Sequence, residues 1–172
     1  MFDKNYSFQG THAKYVNKLT AKFDDKNQLF NRNIDVYIMA PVVGFLYQRK
    51  ADINLGETTT IFTEQLIKEK DNLLFNYRLI MLLDKDNVPD IEERIHKAFR
   101  SFGSEEAKSD EALYEKYVMG GVEVLYEKLI EQSHGADDYL KYLYDFLEEI
   151  DERYNQDVGV DVINDLCLIA KG

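Results

Sequence analysis

Cysteine is almost absent from this chain: Cys167 stands alone in 172 residues. A lone thiol excludes a disulfide framework and a thiolate metal cluster, and it suits a reducing compartment. Cys167 has no helix start or basic group near it, the setting of an inert thiol rather than a nucleophile. Apolar runs are short as well. The longest holds about 14 residues, where a bilayer requires roughly 20, and the opening MFDKNYSFQG lacks the basic start and apolar core of a signal peptide. A cytoplasmic protein without membrane association is expected. Catalytic signatures are missing too. His12, His96 and His134 form no HExxH or HxH pattern, and surface or loop positions are expected for all three. Gly120-Gly121 is not followed by Lys-Ser/Thr, so it is no phosphate loop, and there is no GxSxG. The sequence assigns no catalytic residue, no metal site and no cofactor.

What the chain does have is lopsided charge. Residues 1–100 carry 15 Lys/Arg and 14 Asp/Glu, whereas residues 101–172 carry 6 and 18, so the net −11 comes entirely from the C-terminal part. Such a surface disfavours nucleic acid there and suits a basic partner or simple solubility. The other marked feature is Ile34 to Tyr47, IDVYIMAPVVGFLY, which carries a single charge. Its apolar residues occupy every face of a helical period, so the helix must be covered on all sides. It is expected to be the buried centre of the fold. Pro41 should kink it near Tyr37 or restart it there.

Around this centre the spacing predicts helices over 12–23, 60–83, 109–132, 136–154 and 160–169, with a further one starting at Pro89 and ended by Gly103. Residues 1–10 read as irregular, and Asn54 to Thr60 as loop. Gly120-Gly121 inside a helix costs about 2 kcal/mol by propensity, which implies close contact with a bulky side chain or another backbone. No alternating strand is long enough to found a sheet. The expected class is all-α, a single compact bundle of six or seven helices around a buried central helix. Residues 1–103 would form a charge-balanced core and 104–172 the acidic helices packed on it, one domain overall.

Three groups of residues are candidates for a role. Glu148, Glu149 and Glu152 share a helical flank with Asp145 and offer a docking surface to a basic protein; carboxylates so spaced can also hold Mg²⁺ or Ca²⁺, although a solvated face is commoner. Lys14, Lys18 and Lys22 recur every four residues and could track phosphates, joined by Lys26, Arg32, Arg49 and Lys50. Arg94, Lys97 and Arg100 make a second basic patch. The third group concerns the interior. Arg78 sits within LLFNYRLIMLL, so it either reaches solvent along its stem or meets an acid. Asp35 and Glu123 are the acids embedded in comparably apolar stretches.

The order of landmarks adds a resemblance. Asp35-Val36-Tyr37-Ile38 leads to Gly44-Phe45, then Arg78-Leu79-Ile80-Met81-Leu82-Leu83, Glu93-Arg94, Ala98-Phe99-Arg100, Tyr117-Val118 and Gly120-Gly121. Over roughly residues 30–130 this resembles small helical accessory proteins encoded beside bacterial DNA-phosphorothioation (dnd) and other phage-defence genes. The resemblance implies a bacterial accessory role and supplies no catalytic residues. The expected function is a non-enzymatic interaction or regulatory subunit with a protein partner, in a hetero- or homo-oligomer. The twelve tyrosines point the same way, since tyrosine is enriched at interfaces. The alternative is a nucleic-acid-binding accessory using the basic N-terminal helix, and an enzyme with an unrecognised carboxylate site stands third.

Overall fold

Helix α2 (Asn33–Leu46) buries Ile34, Val36, Tyr37, Ala40 and Val43, and helix α6 (Lys108–Leu129) lies directly against it. Gly44 and Gly121 set that distance, and Gly120 admits the segment that follows α2. A Cβ on Gly44 would fall 2.1 Å from the Tyr117 carbonyl oxygen, on Gly120 2.0 Å from that of Arg49, and on Gly121 1.7 Å from that of Ala40. The helical glycines thus bring backbone to backbone, as the Gly-Gly pair implied. Helix α2 runs through Pro41 without interruption. Its cover is incomplete: Met39 remains 46% exposed, so the apolar stretch is wrapped on most sides and not on all.

The computed structural model describes residues 1–154, and the expected helix over 160–169, with Cys167, lies outside them. Within them the chain is mostly helical, with one two-stranded sheet. Strand β1 (Tyr6–Gln9) pairs antiparallel with β2 (Thr58–Ile61), Tyr6 opposite Ile61 and Gln9 opposite Thr58. This corrects the expectation that no strand is long enough to found a sheet, and with it the irregular reading of residues 1–10 and the loop reading of Thr58 to Thr60. Each strand has only four residues, and its partner lies about fifty positions away, beyond any local pattern. Once paired, β-branched threonines suit the extended ladder, and Phe8 turns fully into the core.

Gly10, at φ +56°, turns β1 into helix α1 (Gly10–Leu19). A side chain there would be strained by the left-handed backbone and would strike Asn54, whose Oδ1 lies 2.0 Å from the Cβ position. The helix ends at Leu19, four residues short of the spacing-based end, because Asp24 organises a turn by accepting from the Lys26 and Asn27 amides at 2.7 Å each.

The long helix expected over 60–83 is divided. Its start is β2; then come α3 (Thr63–Lys68) and α4 (Lys70–Leu83), with Glu69 between them at φ −100°, ψ 11°. Gln65 caps the start of α3 by accepting the Phe62 amide at 3.2 Å. Helix α5 (Ile91–Phe99) begins two residues after Pro89, capped by Asp90, which accepts from the Glu92 amide at 3.1 Å. A 3-10 turn at Glu105–Ala107 leads into α6. Helix α7 (Ala136–Tyr154) has the span its pattern predicts and packs on α6. The buried core passes through both parts of the chain, with Tyr37, Tyr77, Tyr114 and Tyr117 among its largest side chains.

Candidate functional site

Helix α4 has two faces of different fate. Leu73, Asn76, Tyr77, Ile80 and Met81 point into the core. On the opposite side Asp71, Leu74, Phe75, Arg78 and Leu82 follow at i, i+3, i+4, i+7 and i+11, which on a 3.6-residue period form one stripe. With Leu79 and with Phe99 of α5 they line an open groove of about 420 Å³. Phe75 is 63% exposed and Phe99 54%. Among the described residues the only base lining it is Arg78, whose guanidinium lies over the Phe99 ring, 5.6 Å from its centroid. Its Nε is buried without a hydrogen-bond partner among the described residues.

Arg78 was expected either to reach solvent or to meet Asp35 or Glu123. The ion pairs lie elsewhere. Asp35 is held by Arg32 at 2.6 Å, one helical turn away, and Arg32 also reaches Glu69 at 3.2 Å. Glu123 meets Arg49 at 3.2 Å and His12 Nε2 at 3.3 Å, while Arg49 also binds Glu127 at 2.8 Å. The spacing Arg32-x-x-Asp35 was a visible signal of the first pair. The second needed the fold, because it joins residues more than seventy positions apart.

The basic candidates are dispersed. Lys14 and Lys18 are exposed on α1, but Lys22 lies beyond its end, so the four-residue repeat does not make one helical flank. Lys18 donates to the Tyr126 hydroxyl at 3.2 Å. Lys50 sits over the Tyr117 ring at 4.8 Å. Arg94 leaves the second basic patch altogether: it is buried and donates to the carbonyls of Val88 and Pro89 at 2.9 and 3.1 Å. Lys97 is engaged by Asp110 at 2.7 Å. Of the acidic candidates, Glu148 and Glu152 are exposed. Glu149 instead clamps α7 to α6, accepting from Lys128 at 2.6 Å and pairing with Arg153 at 2.9 Å. The Lys128 hydrogen bond leads the effects that hold its pKa below the usual carboxylate value.

Two buried polar centres escaped the sequence reading. Glu115 on α6 accepts the Tyr6 hydroxyl at 2.7 Å and the Tyr37 hydroxyl at 3.1 Å, tying β1 and α2 to α6. Burial raises its pKa to about 7 against the two tyrosine hydrogen bonds, which favour the ionised form. It borders a cleft of about 410 Å³ with Ala51, Asp52, Ile53, Ala112 and Lys116. Lys116 and Asp52 pair with each other at 2.9 Å. His12 is the second centre. It is buried, contrary to the surface position expected, and burial lowers its pKa despite the nearby Glu123.

A larger hollow, about 650 Å³, lies where Asn5, Arg32, Asn33, Thr63 and Gln65 converge. Most of its polar groups are engaged, Asn5 by Thr63, Asn33 by Thr59, Gln65 by the Phe62 amide and Arg32 by two acids. Among the described residues no three His, Cys, Asp or Glu side chains group to hold a metal ion, and no helix is long and apolar enough to cross a membrane. Comparison with known proteins found no matching family model, no matching curated protein and no matching solved structure.

Proposed function

We propose that this chain is a non-enzymatic interaction subunit of a bacterial multi-protein system, of the phage-defence kind that the resemblance suggests, and that its docking face is the groove between α4 and α5. The observation that carries this reading is the groove itself: exposed Phe75 and Phe99 flank a cation that has no ion-pair partner among the described residues. Exposed aromatic anchors beside an arginine are the residue types that dominate binding energy at protein interfaces. An apolar helix lying along the α4 stripe, with a carboxylate or carbonyl set against Arg78, would satisfy both chemistries. The tyrosines no longer support an interface by their number, since Tyr37, Tyr77, Tyr114 and Tyr117 are spent in the core.

A photo-crosslinking residue placed at Phe75 tests the docking face in the native host, with the same residue at the exposed Asp145 of α7 as control. The expected result is a covalent protein adduct from position 75 and none from 145. Adducts from neither position, or equally from both, would refute the assignment.

A further inference from the structure

Resting on that docking face, we infer that its occupant is α4 of a second copy of this chain, packed antiparallel about a two-fold axis. The stripe is self-complementary. In a two-fold dimer, residue i of one protomer meets residue j of its partner, and j meets i. An axis passing between Leu74 and Phe75 sets Leu74 of each protomer against Phe75 of the other. It sets Asp71 of each against Arg78 of the other, one turn further out. Ile67, exposed at the end of α3, then faces Leu82. Each of these stripe pairs is apolar with apolar or anion with cation.

Asp71 is exposed and in the first turn of α4. It forms no ion pair within its own chain among the described residues, and neither does Arg78, seven positions along the same stripe. Within one helix these two charges stand about 10 Å apart by the 1.5 Å rise, too far to satisfy each other. Across the axis they come together twice, which gives the guanidinium of Arg78 a counter-ion. The same contact removes Phe75 and Phe99 from water. Other registers lose this match: moving the axis by one helical turn sets Arg78 against Arg78 in one direction and Asp71 against Asp71 in the other.

Sedimentation equilibrium on the wild-type chain and on D71R, R78D and D71R/R78D tests the arrangement, with circular dichroism reporting helicity. The wild-type chain should sediment at twice its chain mass. Each single variant places like charges opposite one another at both contacts and should raise the dimer dissociation constant by more than about tenfold. D71R mixed with R78D should form a one-to-one heterodimer, because each interchain pair is again a cation opposite an anion. The double variant should dimerise by itself. A monomeric wild type, single variants that dimerise undiminished, or folded single variants that fail to combine would each overturn the dimer. A monomeric wild type whose position 75 still cross-links to a different protein overturns the dimer while leaving the docking face intact; no cross-link at all removes both.

Discussion

Replacing Glu115 by Gln should make the protein more stable above neutral pH and leave it nearly unchanged in mild acid. Glu115 sits where β1, α2 and α6 meet, with Tyr6 and Tyr37 donating to its two oxygens. Burial lifts its pKa from 4.5 to about 7. Below the lower value the carboxyl is protonated in the folded and unfolded chain alike, and the stability due to the neutral group is fully present. Between the two values the folded chain holds the extra proton, so stability falls as pH rises. Above about 7 the loss is complete. At 1.36 kcal/mol per pKa unit it amounts to about 3 kcal/mol, an upper figure because the group borders an open cleft. Glutamine is neutral throughout, and its amide can still meet both tyrosine hydroxyls. Urea denaturation of both proteins at about pH 5 and about pH 8 reads the effect as a difference of differences, in which all other titrating groups cancel. A gap between the two proteins that stays constant across this range, or widens in acid, would refute the reasoning.

Gly121→Ala should destabilise by at least about 2 kcal/mol: the helix-propensity gain of about 1 kcal/mol cannot offset a Cβ placed 1.7 Å from the Ala40 carbonyl oxygen. A denaturation midpoint equal to or above that of the wild type would show that α2 and α6 can separate cheaply. Glu149→Gln removes the acceptor shared by Lys128 and Arg153; the expected cost is about 1 kcal/mol because the network is partly solvated. Amide exchange should rise along α7 and not along α2, and uniform exchange would show that this clamp does not hold α7.

The helices were legible where their cause is local. Helix α7 follows from an uninterrupted apolar spacing, and the Gly-Gly pair of α6 announced a backbone contact by its cost alone. What stayed hidden depends on residues distant in sequence. Neither YSFQ nor TTTI has enough alternation to signal a strand, and only their pairing makes them one. His12 looked like a surface residue because its neighbours Thr11 and Lys14 are polar, but α6 lies over that side of α1. The tyrosines invite an interface reading by number, yet an acceptor such as Glu115 or Asp84 lets a tyrosine hydroxyl enter the core; Tyr117 donates to Asp84 at 2.8 Å. The groove was half legible. Its apolar residues are evident in LLFNYRLIMLL, but that run has apolar residues on both faces of the helix, and only the fold decides which face is covered.

That ambiguity bears on what the groove accepts. Three other partly or fully buried cations each have an acceptor for the charged group. Arg94 donates to two carbonyls through Nη1, although its Nε is unpartnered among the described residues like that of Arg78; Lys97 has Asp110 and Lys128 has Glu149. Arg78 has a ring face below it and the open groove above, so its remaining donors are solvated only while the groove is open. A wholly apolar helix laid over it would strip that water and leave an uncompensated charge, a cost of several kcal/mol. This would cancel most of what burying Phe75 and Phe99 could supply, about 1.5–3 kcal/mol for each side chain fully removed from water. A helix carrying an acid opposite Arg78 avoids the loss. The cation therefore acts as a filter: it admits the α4 stripe of another copy through Asp71, and it turns away helices that offer hydrophobicity alone.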